Sequence, residues 1–367
     1  MPLMPIVMFV VGLAVLLVGA DLLIRGAVSL AKALGIPTLI IGLTVVAFGT
    51  SAPELAAGIT AVLADKGDIN IGNVVGSNIA NVGLILGFTA VIYPVVCHVR
   101  AIRLEVPIMI GVGVLGYVLM VHEAQLTRID ASILLAGLVG YISLILILAK
   151  RDRAKAARHA AEIREQHEQQ IRDAVDTQPD ESGTRPAHID DESESEYDPR
   201  TDSIDLDLTD PLAIDAVGYP LPVCIVFVVL GLAGLIFGSD WMVHGAVKIA
   251  GEFGVPESVI ALTMVAFGTS VPELAAAFMA ARKHEPDLVI GNIVGSNIFN
   301  ILCVLGVTAF VAPINTPESV FGRDGPMMIL LSALMLPLMI RKGRVGRGEG
   351  FILLALYVGY IIATILM

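Results

Sequence analysis

Two glutamates stand in the middle of long apolar stretches. Glu54 ends the run Ala47-Phe48-Gly49-Thr50-Ser51-Ala52-Pro53-Glu54, and Glu273 ends Ala266-Phe267-Gly268-Thr269-Ser270-Val271-Pro272-Glu273. An ionisable group deep in an apolar span is costly and marks a functional site by default. The usual structural alternative is a buried base beside the acid. The two stretches and those that follow them hold only Arg282 and Lys283, both at one end. Each proline also acts on its own helix. It has no N–H to give and clashes with the carbonyl four residues back, at Gly49 and Gly268. The helix is expected to break just before each glutamate, where Thr50, Ser51, Thr269 and Ser270 add hydroxyls. Irregular backbone at membrane depth is tolerated where it is buried or lines a cavity.

A second motif supplies more oxygen. Gly72-Asn73-Val74-Val75-Gly76-Ser77-Asn78-Ile79-Ala80-Asn81 recurs as Gly291-Asn292-Ile293-Val294-Gly295-Ser296-Asn297-Ile298-Phe299-Asn300. Asn73, Ser77 and Asn81 are four apart, so they share a helix face, and so do Asn292, Ser296 and Asn300. Asn73, Asn78, Asn292 and Asn297 also suit interhelical hydrogen bonding, with glycines at close contacts. The donors are carboxylates, hydroxyls, amides and carbonyls. Such oxygen sets suit calcium, magnesium and manganese, and sodium as well. No histidine falls inside an apolar span, which argues against zinc or copper and removes the base of a serine hydrolase.

The elements that carry these groups have membrane dimensions. Of 367 residues, 56% are hydrophobic and 16% charged, against about 25% charged in soluble domains. Ten apolar segments stand out, at about 6–24, 37–63, 71–95, 106–121, 130–149, 221–239, 256–281, 288–314, 326–340 and 350–366. Most reach the roughly 20 residues that span a bilayer. The first has no Lys or Arg before Arg25, unlike a signal peptide. One tryptophan, seven tyrosines and no long basic run argue against a nucleic-acid binder. Cys97, Cys224 and Cys303 have no counterparts across the halves and imply no disulfide framework.

The halves repeat with an offset of 219. Between 42–87 and 261–306, 26 of 46 positions are identical, and Asp21, Gly26, Pro107 and Tyr141 fall on Asp240, Gly245, Pro326 and Tyr360. Each half has five spans. An odd number makes the second half enter the membrane from the opposite side, an inverted repeat of the kind found in secondary transporters. The expected fold is therefore an all-α integral membrane protein, with ten transmembrane helices in two inverted-topology five-helix repeats. The repeats occupy 1–149 and 219–367. Residues 150–218 form the link, helical at first (150–175) and then acidic, polar and disordered in composition. This link holds 19 of the 35 acids and 9 of the 23 bases. With the N-terminus outside, 19 Lys and Arg face the cytoplasm and 4 face out. Positive charge favours the cytoplasmic side, so both termini are expected outside and the link inside.

These paired motifs resemble the alpha repeats of the sodium/calcium exchanger family, the calcium/cation antiporters, most closely the prokaryotic branch. The resemblance covers both halves. It implies a multi-pass protein of the cell membrane that exchanges intracellular calcium for extracellular sodium by alternating access, with these ions as cargo and no cofactor. It implies that Glu54 and Glu273 are the central ligands. Thr50, Ser51, Thr269, Ser270, Ser77, Ser296, Asn81 and Asn300 would complete the sites, with the carbonyls of Ala47 and Ala266. Some relatives carry Asp at the position of Asn300, in some cases linked to potassium co-transport. Here both Asn81 and Asn300 are neutral, leaving two carboxylates. Proton-coupled or potassium-dependent exchange of calcium or another divalent cation stands as the alternative. A channel needs a continuous pore, whereas one cage between inverted repeats suits a carrier.

Overall fold

The computed structural model describes residues 3–176, 219–253 and 266–366. Among the described residues, nine helices are long and apolar enough to cross a membrane. In chain order these are α1 (Leu3–Leu34), α2 (Thr38–Leu63), α3 (Gly67–Ile92), α4 (Ala101–His122), α5 (Arg128–Asp176), α6 (Leu221–Glu252), α8 (Pro286–Val311), α9 (Val320–Lys342) and α10 (Arg347–Leu366). Between α6 and α8, the helical residues of 266–282 make up α7. The span expected at 256–281 thus lies partly outside the described residues, as does the acidic stretch of the link after Asp176. The helix expected at 150–175 is present as the far end of α5. By contacts the chain divides into one unit of Met1–Ile147 with Tyr219–Met367, and a second of Leu148–Gly218.

Two helices are longer than their apolar runs. The apolar runs end near 24 and 239, but α1 and α6 each have 32 residues, about 48 Å at 1.5 Å per residue. The charges that seemed to end the first run neutralise one another on the helix. Arg25 Nε lies 2.8 Å from Asp21 Oδ2, and Lys283 Nζ reaches Asp21 Oδ1 at 2.9 Å. In α6 the equivalent Asp240 pairs with His244 at 3.1 Å, largely exposed.

Helices α1 and α6 pack on each other through glycine. Gly12, Gly19 and Gly26 recur every seven residues, as do Gly231, Gly238 and Gly245. A Cβ placed on Gly19 would fall 2.7 Å from the carbonyl carbon of Gly234, and one on Gly238 would fall 2.4 Å from the nitrogen of Leu16. Lipid tails are as apolar as the side chains, so helix association here depends on such close van der Waals approach. The same device seats α8, which is buried along its whole apolar window. Cβ atoms on Gly291 and Gly295 would meet the Leu39 carbonyl at 2.8 Å and the Ala47 methyl at 2.6 Å.

Four two-residue strands make the inversion visible. β1 (Val95–Val96) joins α3 to α4, β2 (Gln125–Leu126) joins α4 to α5, β3 (Ile314–Asn315) joins α8 to α9, and β4 (Arg344–Val345) joins α9 to α10. β1 pairs antiparallel with β4, and β2 with β3. The two bridges therefore lie at opposite ends of α4, about 33 Å apart by helix rise. β1 and β3 are repeat equivalents, yet they sit at opposite ends of the bundle. The halves are the same motif inserted in opposite directions.

Candidate cation site

Both broken helices form as expected. In α2, the α-helical segment Ala47–Thr50 stops, Ser51 takes φ −83° and ψ 2°, and a new segment begins at Ala52. In α7, Ala266–Thr269 stops, Ser270 takes φ −90° and ψ 1°, and Val271–Arg282 follows. Pro53 and Pro272 fall in the first two positions of the new segments, where no N–H is required. Glu54 and Glu273 come in the first turn, 0% and 1% exposed.

Hydroxyls and amides of one repeat meet those of the other. The Thr50 hydroxyl donates to Asn292 Oδ1 at 3.1 Å and also lies 3.3 Å from Ser296 Oγ. Thr269 donates to Asn73 Oδ1 at 3.2 Å, and Ser270 to Ser77 Oγ at 3.3 Å. Asn292 Nδ2 donates to the Glu273 carbonyl at 3.4 Å. The Ala47 carbonyl accepts the Ser51 N–H at 3.0 Å and lies 3.3 Å from Thr50 Oγ1. Ala266 opens the described part of α7. The structure thus gathers Thr50, Ser51, Glu54, Ser77, Asn81, Thr269, Ser270, Glu273, Ser296 and Asn300 onto α2, α3, α7 and α8. Asp21 belongs to the ion pairs with Arg25 and Lys283 instead, and Asp240 lies beside His244 on α6.

Several buried polar atoms of these residues have no partner. Both oxygens of Glu54 and both of Glu273 are buried with no hydrogen-bond donor, as are Ser51 Oγ, Asn81 Oδ1 and Asn300 Oδ1. Thr269 lies beside the Glu54 carboxylate, and Thr50 and Ser51 lie beside that of Glu273, yet none donates to it in hydrogen-bonding geometry. Buried charges are otherwise paired or bind cations. Bare carboxylate, hydroxyl and amide oxygens are the donor types that calcium takes. Among the described residues no group of three or more His, Cys, Asp or Glu forms a metal cluster, so beyond the two carboxylates neutral oxygens must supply the shell.

The i, i+4 spacing of the second motif holds to its last asparagine: the Asn81 N–H reaches the Ser77 carbonyl, and the Asn300 N–H reaches that of Ser296. α3 and α8 leave the α-helical form only from that residue on. Each widens to a π-helix, at Asn81–Leu86 and at Asn300–Leu305. Asn81 and Asn300 stand where the turn widens, a feature frequent at functional sites. The sequence reading also passed over a buried acid in each half. Glu105 pairs with Arg100 at 3.2 Å, and Asp324 pairs with Arg323 at 2.7 Å and accepts the Tyr360 hydroxyl at 3.0 Å. Both acids stand two residues before a matched proline, Pro107 or Pro326, which was the available signal. Both ion pairs lie within the helix starts themselves, and only the Tyr360 hydroxyl joins Asp324 to the next helix.

The family model described as sodium/calcium exchanger protein matches residues 4–147 and 223–366. CaxA of Alkalimonas amylolytica is 37% identical over 353 residues, covering 95% of each chain. The sodium/calcium exchanger MaX1 of Methanosarcina acetivorans is 30% identical, covering 96% of this chain and 95% of its own. Among solved structures, the sodium-calcium exchanger NCX_Mj soaked with sodium and strontium superposes with a TM-score of 0.73 at 25% identity, covering 99% of both chains.

Proposed function

This chain belongs to the sodium/calcium exchanger protein family, and from that premise we propose that it carries calcium out of the cell in exchange for sodium. It is a multi-pass membrane antiporter of calcium and other cations, a transporter rather than an enzyme. The observation that carries calcium-for-sodium exchange is the pair of buried carboxylates whose four oxygens have no donor.

Two ionised glutamates balance one divalent ion. Several sodium ions spread over the same oxygens also balance them, so the two cargoes compete. A site with two bare carboxylates is costly to move through a low-dielectric barrier, so the carrier reorients when loaded. Glu54 and Glu273 supply the charge. Thr50, Ser51, Ser77, Thr269, Ser270 and Ser296 supply hydroxyl oxygens, Asn81 and Asn300 supply amide oxygens, and Ala47 and Ala266 supply carbonyls. The wealth of neutral oxygens favours sodium over protons as the counter-ion. The neutral pair Asn81 and Asn300 weighs against a potassium requirement. The 19-to-4 division of Lys and Arg supports both termini outside and residues 150–218 in the cytoplasm. Residues 1–149 and 219–367 are the two repeats.

The test is calcium-45 uptake into proteoliposomes under imposed sodium, potassium or proton gradients. Uptake driven by an outward sodium gradient, and by neither of the others, is the expected result. Uptake driven only by protons, or only with potassium present, would replace sodium in this reading.

A further inference from the structure

Asn78 and Asn297 follow the site serines by one residue, and both are buried, at 3% and 2% exposure. Their amides do not compete for the site. Asn78 Nδ2 donates to the backbone carbonyl of Asn297 at 3.2 Å, and its Oδ1 accepts Asn300 Nδ2 at 3.1 Å. Asn297 Nδ2 donates to the thioether of Met109 at 3.4 Å, and its Oδ1 accepts Asn81 Nδ2 at 2.9 Å. Each repeat holds the last asparagine of the other.

The donor and acceptor ends of these amides are fixed by chemistry. A backbone carbonyl accepts only, so the nitrogen of Asn78 must face it. Its oxygen then faces Asn300, which must answer with nitrogen. A thioether is a weak acceptor with no proton to give, so the same logic runs from Met109 through Asn297 to Asn81. Both chains end at an amide oxygen with no protein partner, Oδ1 of Asn300 and Oδ1 of Asn81. Turned by half a rotation, either amide would present two N–H groups, which repel a cation.

We propose that Asn78 and Asn297 are positioning residues: by holding the amide nitrogens of Asn300 and Asn81, they turn the two amide oxygens toward the transported cation. The inference rests on the reading of Asn81 and Asn300 as ligands. It explains why the motif has asparagine both one and four residues after its serine in both halves. It also makes the amide ligand of each repeat depend on the other repeat.

The experiment is a double-mutant cycle on the purified full chain, with Asn78→Ala, Asn300→Ala and the pair. Calcium Kd is read by titration calorimetry, and KM and kcat are read from sodium-driven calcium-45 uptake. Loss of a partner that orients a ligand typically costs 10–100-fold in metal affinity. Asn78→Ala is expected to raise the calcium Kd and KM at least about tenfold, while the thermal midpoint of the ion-free protein changes little. In the Asn300→Ala background the same change should move Kd less than twofold, because no amide remains to be turned. An undiminished effect in that background, or no effect of Asn78→Ala alone while Asn300→Ala weakens binding, would overturn the positioning role and leave the site intact. An unchanged Kd in Asn300→Ala would instead remove Asn300 from the site, and the proposal with it. Should Asn78→Ala fail to fold, Asn297→Ala against Asn81→Ala is read in the same way.

Discussion

Replacing Glu273 by Gln removes one negative charge and keeps the shape. Glu273 is 1% exposed, and neither of its oxygens has a donor, so no protein group compensates for the loss. A divalent ion at about 2.4 Å from one carboxylate oxygen gains about 14 kcal/mol of attraction at an effective dielectric of 20. The repulsion between the carboxylates and the cost of burying them are present in the empty and the loaded protein alike, so they do not offset it. The glutamine oxygen does, because it still coordinates the ion as a dipole. Removing one partner of a buried charge pair typically costs about 3–5 kcal/mol, or roughly two to four decades in calcium Kd. Exchange should fall below detection, and Glu54→Gln should do the same because the repeats are equivalent. Titration calorimetry gives the affinity, calcium-45 flux gives the exchange, and size-exclusion chromatography in detergent checks the fold. A Kd within tenfold of the unmodified protein, or near-normal sodium-driven flux, would refute the assignment of the carboxylates as the charge of the site.

Asn300→Asp raises the number of carboxylates from two to three, and flux is expected to become dependent on potassium or more dependent on pH; Asn81→Asp is the matched control, and unchanged profiles in both would take these residues off the ion path. Gly19→Ala puts a methyl 2.7 Å from the Gly234 carbonyl carbon, and overpacking of this kind costs about 1–3 kcal/mol. Its thermal midpoint in detergent should drop, while Gly140→Ala, whose Cβ meets nothing within 4 Å, should melt like the parent. Burial pushes the Cys97 thiol up to about 12, which leaves roughly one thiolate in ten thousand at pH 8. In a chain with Cys224 and Cys303 replaced by Ala, maleimide should label folded protein at least about a hundredfold more slowly than denatured protein; comparable rates would show that Cys97 is accessible.

Much of this was legible in the sequence because the signals were doubled. An acid in an apolar run, with a proline before it and no base nearby, is unusual once. At Glu54 and Glu273 it occurs twice, at one offset, so broken helices and a buried charge pair followed without coordinates. The inversion followed from arithmetic, since five crossings per half reverse the second half. Helix ends were less legible. Asp21 and Arg25 looked like the end of a span, and α1 runs past them because they pair with each other and with Lys283, a partner no local window contains. The glycine seam of α1 and α6 was written in the seven-residue spacing, but which helices it joined was not.

Only the tertiary structure separated asparagines that look alike. Asn78, Asn81, Asn297 and Asn300 are the same residue in one motif, and helical spacing alone places Asn81 and Asn300 one turn beyond Ser77 and Ser296. The π-turns at Asn81–Leu86 and Asn300–Leu305 begin only at these two residues and leave that register in place. The two ends of an amide are nearly equal in size and opposite in hydrogen-bonding sense. What turns each one is the group it meets from the other repeat, a carbonyl at Asn297 or a thioether at Met109. That choice is made between residues more than 180 positions apart, so it is fixed by packing and is invisible in the chain read alone.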